Sequence, residues 1–477
     1  MYEPIVRTLR IYPWMALLSV LTLALALIPL GSTVANAQTA DGPSLTDGAV
    51  FAMSNARDGN VVVAYHRAAD GTLTEAGRFD TDGAGSGSFE DTANGLVLAT
   101  TGGEISPNNL VEPTDGETQL LFATNAGSNT VSVFRVDDDG LELVDVQDSG
   151  GEKPVSVTVN DGIVYVLNSG ETNDDLFDAD GNVIANCTTG FRPSVSGFRL
   201  SDDGELHAIR GSRRRLSGES VSGCAQVSFN PAGTVLVATE RLAQPRRLDQ
   251  QRSDEERIDD EGVIDTFAVN RRTGRLSRAH VQDATGQGPF GFTFAKNGNL
   301  LTTEQFDGPG PIGLGRGAAT SYQFDDKGKH RFHRRGKYRS GRRGDLVATA
   351  PSLRNGGTDT CWFVATDDGA LGFTTSFFAD GRISSYRLDD VGIVELIDPV
   401  ATSDDAAADD VAMGASDIAL SGDSGYLYQL NSINGTINAF ANNGDGTLAL
   451  LEQVAPFPQE PFGPDGGMGA PIGLAAN

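Results

Sequence analysis

Hydrophobic and polar residues alternate in many short segments of this chain, and one segment shows the unit that is repeated. In VSVFRVDDDG (131–140), apolar residues occupy alternate positions, an aromatic residue stands at Phe134, and an acidic turn ends at Gly140. Alternation with a period of two predicts a strand with one buried face, and an Asp- and Gly-rich end predicts a tight turn. The segment therefore predicts one strand of a β-hairpin.

The same spacing of an aromatic residue and a turn glycine recurs along the chain. Seven pairs follow it, the Phe267 pair with one additional residue: Tyr65 with Gly71, Phe134 with Gly140, Phe198 with Gly204, Phe267 with Gly274, Tyr322 with Gly328, Tyr386 with Gly392 and Phe440 with Gly446. Successive glycines are 54 to 70 residues apart, which matches one four-stranded blade plus variable loops. The pattern predicts an all-β, seven-bladed β-propeller.

Each unit also has a strand that precedes the aromatic strand and ends at a polar residue. These end residues are Asn55, Asn125, Asn168, Glu240, Glu304, Ser376 and Asn431. Before most of them lies another apolar run with a turn, as in VSVTVNDG (155–162), and NGLVLAT (94–100) is the weakest copy. With the strand after each acidic turn, a complete unit has four antiparallel strands.

The first and last units are complementary in what they lack. The first has no innermost strand before AVFAMSN (49–55), whereas GAPIGLAAN (469–477) is a strand without a unit. Pairing the two would close the ring and leave no open sheet edge between the first and last blades. We therefore predict that the C-terminal strand pairs with the N-terminal blade.

Three segments carry a family resemblance: LLFATNAGSNTVSVFRVDDDGLELV (120–144), PFGFTFAKNGNLLTTE (289–304) and CWFVATDDG (361–369). They resemble repeats of the lactonase-type seven-bladed β-propellers, which include 6-phosphogluconolactonase and carboxymuconate cyclase. The resemblance implies a carboxylic ester hydrolase acting on a lactone at one end of the central channel. These motifs build blades and specify the fold more than the chemistry.

The N-terminal residues predict an export signal. Arg7 and Arg10 precede an apolar run at 14–30, and small residues at 35–37 offer a cleavage site. An uncleaved membrane anchor is the alternative. We expect a signal peptide (1–37), a short leader (38–48) and one propeller (49–477) with insertions at 171–194, 243–261 and 305–317. The mature protein would be periplasmic or extracellular and free of the membrane.

Charge excludes one class of partner. The chain has 36 Lys and Arg against 64 Asp and Glu, a net charge of −28, which repels nucleic acids and anionic membranes. The basic segment 327–344 is an exception. It would be either a solvated edge strand or a docking strip for an anionic surface polymer. We expect a monomer whose partner is a small lactone or such a polymer.

The repeat register places one column of residues near the starts of the innermost strands, which meet at one end of the channel. The column contains Ser156, Gln226, Gly291, Phe363, Asp417 and Gly473. Ser156, Gln226, Phe363 and Asp417 are therefore candidate substrate-binding residues. The resemblance implies histidine in this column, but the five histidines (His66, His207, His280, His330 and His333) fall on outer strands.

Carboxylates remain as candidate catalytic groups. Glu240 and Glu304 stand where four other units have Asn, and Arg241 follows the first. A Glu could activate water against a lactone carbonyl while Arg241 balances the oxyanion. Alternatively, both glutamates bond backbone amides at strand ends. No cofactor is required by this chemistry, although an acidic mouth could also bind Ca²⁺.

The three cysteines predict one disulfide. Cys187 and Cys224 map to the same face of neighbouring blades and could pair, which leaves Cys361 buried beside Trp362. GDSG (422–425) aligns with the turns of other units and is interpreted as a turn. DADGN (178–182) is interpreted as a hairpin turn inside the insertion, and GPGPIGLGRG (308–317) as a flexible loop.

Two functional hypotheses follow. The first is an exported lactonase acting on a small sugar-like or aromatic-derived lactone, with Glu240 and Glu304 at its pocket. The second is a non-catalytic propeller that binds a protein partner or a cell-surface polymer.

Overall fold

The fold was analysed in a computed structural model. It describes residues 44–87, 90, 92–101, 117–170, 193–218, 222–243, 262–305, 315–325, 344–350, 352–378, 381–402, 414–457 and 470–477, and the backbone of two short strands at 331–332 and 338–339. The predicted signal segment, most of each insertion, Cys187 and the side chains of the basic segment lie outside the described residues. The domain boundaries and the interpretations of those segments therefore stay predictions.

Strands account for the regular structure of the described residues, which contain no helix. Blades 1 to 3 comprise, in order, β1 (Ala49–Met53), β2 (Val61–Arg67) and β3 (Leu73–Asp80); β4 (Leu96–Thr100), β5 (Gln119–Asn125), β6 (Thr130–Asp137) and β7 (Gly140–Asp148); and β8 (Pro154–Asn160), β9 (Ile163–Asn168), β10 (Ser194–Leu200), β11 (Leu206–Ala208) and β12 (Arg214–Arg215). In blade 3 the outermost strand is divided, because β11 and β12 both pair with β10.

Blades 4 and 5 also have divided outermost strands. They comprise β13 (Cys224–Phe229), β14 (Val235–Glu240), β15 (Val263–Asn270), β16 (Arg275–Leu276) and β17 (His280–Asp283); and β18 (Pro289–Phe294), β19 (Leu300–Glu304), β20 (Ala318–Phe324), a separate hairpin of β21 (Arg331–Phe332) and β22 (Tyr338–Arg339), β23 (Leu346–Ala348) and β24 (Leu353–Arg354).

Blades 6 and 7 are regular four-stranded sheets. They comprise β25 (Thr358–Ala365), β26 (Leu371–Phe378), β27 (Ile383–Leu388) and β28 (Ile393–Asp398); and β29 (Ala415–Leu420), β30 (Tyr426–Asn431), β31 (Thr436–Asn442) and β32 (Leu448–Val454). The last strand is β33 (Leu474–Ala476). The predicted seven blades are confirmed.

The repeated aromatic residues hold the blades together. All seven lie on the third strand from the channel and are at most 3% exposed: Tyr65, Phe134, Phe198, Phe267, Tyr322, Tyr386 and Phe440. Burying an aromatic side chain removes a large apolar area from water. Gly71 shows why glycine ends the hairpin: its φ is +85°, and a Cβ there would lie 2.2 Å from the Tyr426 ring of blade 7.

The ring closes as predicted. β33 pairs antiparallel with β1 in the order β3, β2, β1, β33, with Val50 opposite Ala476 and Ala52 opposite Leu474. Asn477 extends the closure, because its side-chain amide donates to the carbonyl oxygen of Leu45 at 3.0 Å. One blade is thus built from both ends of the propeller, which removes an open edge.

The channel mouth is the end of the central channel at which the innermost strands begin. The second strand of each blade ends there, so the insertions between second and third strands of blades 3, 4 and 5 start from this end. Within the described part of the chain, no helix is long and apolar enough to cross a bilayer.

Candidate ligand site at the channel mouth

The innermost strands are irregular close to the channel mouth. In blades 3 to 7 the pairing of the innermost strand with the second strand shifts register near its start, as between Cys224 and Val227 and between Thr360 and Trp362. Such a β-bulge leaves one residue outside the ladder and redirects the following side chains. The strand starts therefore have backbone groups that face a neighbouring blade.

Side chains of the predicted column bind those backbone groups. Three bonds connect one blade to the next: Val227 N donates to Ser156 Oγ at 3.1 Å, Phe292 N to Gln226 Oε1 at 2.7 Å, and Leu474 N to Asp417 Oδ2 at 3.1 Å. The Gln226 amide also donates to the carbonyl oxygen of Phe292 at 2.8 Å. Ser156, Gln226 and Asp417 thus join blades around the channel, and substrate binding by them stays a prediction.

The two glycines of the column stand where blades touch. A Cβ on Gly291 would lie 2.3 Å from the carbonyl oxygen of Cys361 in blade 6. Gly473 has φ +95°, and its Cβ would lie 2.7 Å from the Cβ of Leu96 in blade 2. Glycine is needed at both positions because any side chain would separate neighbouring innermost strands.

Phe363 lies in the interface of blades 5 and 6, and substrate binding by it stays a prediction. It is buried in a cluster with Ala295 and Leu301, and its ring stacks on Tyr386 at 5.9 Å between centroids. The bulge before Trp362 changes which residue faces the channel. No residue pattern in the sequence predicts this bulge. The repeat register, counted without it, therefore points to Phe363, the neighbour of Trp362.

Asp417 is a carboxyl group in an apolar environment. Complete burial raises its pKa from 3.8 to about 8, although hydrogen bonds from the backbone of Leu474 and Ile418 act in the opposite direction. Desolvation dominates because the charged form loses its hydration. The folded protein therefore holds this carboxyl largely protonated at neutral pH.

We expect Asp417 to make stability fall as pH rises. The unfolded chain releases this proton near pH 3.8 and the folded chain near pH 8, so the free energy of unfolding decreases across that window and changes no further above it. From pH 5 to pH 8, wild type should lose stability relative to Asp417→Asn, by on the order of a few kcal/mol in the free energy of unfolding. The Tm of wild type should fall relative to that of the variant over the same range. A difference independent of pH would contradict this assignment.

Glu240 is a buried strand-end residue whose carboxylate holds the connection from blade 3 to blade 4. Ser217 N donates to Oε1 at 2.8 Å, and Ser222 Oγ donates to Oε2. Both serines lie between β12 and β13. Each carboxylate oxygen thus has a donor, which is the geometry of a cap.

Glu304 has an equivalent arrangement one blade further. Gly286 N, in the connection from blade 4 to blade 5, donates to Oε1 at 2.8 Å, and Ser352 Oγ donates to Oε2. Asn125 has a matching role in blade 2, where its side-chain oxygen accepts from Thr81 Oγ1 at 2.8 Å. For both glutamates the geometry favours the structural alternative to catalysis.

A chain of buried polar side chains crosses three blades at the mouth. Arg241 Nη1 donates to Gln305 Oε1 at 3.4 Å, and Gln305 Nε2 donates to Cys361 Sγ at 3.3 Å. The Cys361 thiol donates to the carbonyl oxygen of Asp359 at 3.1 Å and lies 3.5 Å from Oδ1 of the same residue. We call Arg241, Gln305, Cys361 and Asp359 the mouth chain.

On the other side of the ring, a buried ion pair joins blades 2 and 3. Lys153 Nζ lies 3.2 Å from Glu90 Oε1, with side chains only 6% and 3% exposed. Nearby, Ala93 N donates to the carbonyl oxygen of Ala225 at 3.0 Å. This bond connects the segment that leads into blade 2 with the innermost strand of blade 4.

An apolar cluster, which we call the floor, lies near the starts of the innermost strands. Residues from five blades share one buried cluster: Ala93, Ala225, Phe290, Trp362 and Ala470. The rings of Phe290 and Trp362 pack edge to face at 5.2 Å. Trp362 Nε1 is buried and has no hydrogen-bond partner in the described part of the chain. A buried donor without an acceptor costs free energy and marks a place where an acceptor would bind.

The remaining candidates are placed as follows. His66, His207 and His280 lie on β2, β11 and β17, away from the mouth, whereas His330 and His333 lie outside the described residues. Cys361 is buried beside Trp362, as expected. Cys224 is buried at the start of β13, but the disulfide stays a prediction because Cys187 is not described. The GDSG segment forms a turn, as predicted.

A metal site has no assigned ligands. In the described ranges, no group of three or more His, Cys, Asp and Glu side chains is arranged to hold a metal ion. Calcium binding therefore stays a prediction without named residues.

Known proteins support the fold. No family model matches the chain, and no curated protein matches it in sequence. Among solved structures, a protein of Bacteroides fragilis proposed to be a 6-phosphogluconolactonase aligns with a TM-score of 0.53 and 13% identity, over 91% of this chain and 100% of its own. This chain has a seven-bladed β-propeller fold similar to these structures.

Two further structures show how general the fold is. A Bacteroides uniformis protein, also proposed to be a 6-phosphogluconolactonase, aligns with a TM-score of 0.54 and 13% identity, over 90% of this chain and 99% of its own. A hypothetical selenium-binding protein of Sulfolobus tokodaii aligns equally well, with a TM-score of 0.54 and 11% identity over 91% and 94%. Such likeness shows the fold, and function must be argued from the site.

Proposed function

We propose that this protein is an exported lactonase-like propeller that binds and hydrolyses a small lactone at the channel mouth. The observation that carries the proposal is the unmatched indole N–H of Trp362 on an apolar floor beside the buried mouth chain. A mostly apolar pocket with a few convergent polar groups is typical of small-molecule sites. The predicted export signal, and the proteins of similar fold that are proposed to be 6-phosphogluconolactonases, support the same function.

The proposed chemistry uses side chains of the mouth chain and the floor. The lactone ring would pack against Trp362 and Phe290, with its carbonyl oxygen accepting from the indole N–H. Water adds to the carbonyl carbon, the ring C–O bond breaks, and a hydroxy acid is released. The Arg241 guanidinium would balance the charge that develops on the oxyanion. Asp359, the carboxylate of the mouth chain, would accept the proton of the attacking water and return it to the ring oxygen as the ring C–O bond breaks.

The two tryptophans make this site directly observable. Trp14 lies in the signal segment and Trp362 on the floor, so in the full chain with Trp14→Phe the emission comes from Trp362 alone. We expect a saturable change in that emission with sugar and muconic lactones, together with acid release above the spontaneous rate. Trp362→Phe keeps an aromatic ring but removes the indole N–H donor. It should weaken binding by about 3- to 10-fold, measured by calorimetry.

Two variants complete this test. Arg241→Gln should lower kcat/KM by about 100-fold, the loss expected for a group that stabilises the oxyanion. Tyr426→Phe removes a hydroxyl that donates to the carbonyl oxygen of Ala69 at the opposite end of the blades, and it should leave both binding and acid release unchanged. If no lactone changes the Trp362 emission and none is hydrolysed, the proposed function is wrong.

The second candidate is a non-catalytic propeller that binds its ligand without hydrolysis. One observation favours it: Glu240 and Glu304, the carboxylates predicted from the sequence to be catalytic, are already engaged by serine and backbone donors. A change in Trp362 emission without acid release would support this candidate.

A further inference from the structure

The outer strands of blades 3 and 4 form a strongly basic surface on an acidic protein. Residues 199–215 and 271–278 contain nine arginines and three carboxylates, although the chain as a whole has a net charge of −28. The first segment spans the end of β10 to β12, and the second spans the hairpin from β15 to β16. We call these nine side chains the arginine belt.

Contacts between the blades make the belt one continuous surface. Arg214 Nη2 donates to the carbonyl oxygen of Leu276 at 2.8 Å, and Arg275 Nη2 donates to that of Arg210 at 2.9 Å. Each bond runs from one blade to the other. Tyr165 strengthens the same contact, since its hydroxyl donates to the carbonyl oxygen of Gly274 at 2.6 Å.

These contacts fix the guanidinium groups without neutralising them. Arg199 Nη2 likewise donates to the carbonyl oxygen of Arg272 at 2.6 Å. A carbonyl oxygen orients a guanidinium but adds no negative charge, and the remaining N–H groups stay available. Of the nine arginines, Arg271 alone is paired with a carboxylate within the described residues, at 2.9 Å from Asp161.

Several belt arginines project into solvent. Arg210, Arg213, Arg215, Arg272 and Arg278 are exposed. Arginines on a protein surface are usually interspersed with carboxylates, which limits single-sign fields. Here they are concentrated on one side of the ring, which favours a function in binding over simple solubility.

We propose that the arginine belt binds an anionic polysaccharide that carries carboxylate or sulfate groups. Arginine presents planar, multiple donors that match these groups. Single-stranded nucleic acid is disfavoured because such sites combine charge with exposed aromatic rings, and the two belt segments contain no aromatic residue except His207. Duplex nucleic acid is disfavoured by the acidic remainder of the ring, since duplex-binding domains are usually basic as a whole.

The test compares two triple variants of the full chain. Arg215→Ala, Arg272→Ala and Arg278→Ala together remove exposed belt charges whose side chains form no hydrogen bond or ion pair among the described residues. The matched control removes three arginines elsewhere on the ring that are exposed or half-buried, Arg78→Ala, Arg135→Ala and Arg387→Ala, each paired with a glutamate. Both variants change the net charge equally.

The probe is polygalacturonate, with affinity measured at two salt concentrations. We expect salt-sensitive binding by wild type, a Kd raised about 10-fold or more in the belt variant, and a change below about 2-fold in the control. Equal losses in the two variants, or no binding by wild type, would overturn the proposal. So would preferential binding of duplex DNA of equal charge concentration, or a belt-dependent dimer detected by light scattering.

Discussion

A chain that ends at residue 469 should melt at a temperature about 5 °C lower than the full chain. The truncation removes β33, whose Leu474, Ala475 and Ala476 are buried, and it exposes the edge of β1 in a central position of blade 1. It also removes the Leu474 N–H that Asp417 accepts in blade 7. Together these losses should lower the free energy of unfolding by on the order of 5 kcal/mol.

A peptide of residues 470–477 provides the matched test of this closure. Added in excess to the truncated protein, it should raise Tm toward that of the full chain, because binding to the folded state alone stabilises it. A peptide in which Leu474 is replaced by Asp should have no such effect, since that position is buried. An unchanged Tm after truncation would show that the ring does not depend on β33.

The second large effect is expected at Glu240. Glu240→Ala leaves Ser217 N–H and the Ser222 hydroxyl buried without their acceptor, and should lower the free energy of unfolding by about 2–4 kcal/mol. Glu240→Gln retains an oxygen for Ser217 N, and its amide can donate to Ser222 Oγ. The Gln variant should therefore stay within about 1 kcal/mol of wild type. Denaturant unfolding of both variants gives these values.

This pair of variants also separates a structural role from catalysis. If Glu240 and Glu304 are caps, the double variant Glu240→Gln, Glu304→Gln should be folded and should release acid from lactones at the wild-type rate. Glu142→Ala is the control for charge removal, since Glu142 is exposed and paired with Arg135. Loss of acid release in the folded double variant would instead return both glutamates to the catalytic site.

Much of the fold follows from the sequence because it depends on periodic features. The aromatic residue and the turn glycine recur at fixed spacing, and burial of residues such as Phe134 and Phe440 accounts for that regularity. Ring closure can also be predicted from the sequence, because the apolar segment 469–477 belongs to no unit and the first blade lacks an innermost strand. These features are set by local pattern and by the need to cover sheet edges.

The candidate site is harder to predict from the sequence, for a physical reason. The β-bulges near the channel mouth depend on contacts between neighbouring blades, which the sequence of one blade does not contain. Consequently the repeat register predicts Phe363 for the position that Trp362 occupies on the floor. Similarly, Glu240 and Glu304 have the residue type expected of an acid or base, and only their serine and backbone donors reveal the capping geometry.

Closure of the ring by β33 also determines when this protein can finish folding. Asn477 contacts Ala49, a residue 428 positions earlier in the chain, so blade 1 stays incomplete until nearly the whole propeller has been synthesised. Contacts of such large sequence separation form slowly. An emerging chain of this kind remains open at one edge during synthesis, the state in which a chaperone can still bind the unpaired strand of blade 1.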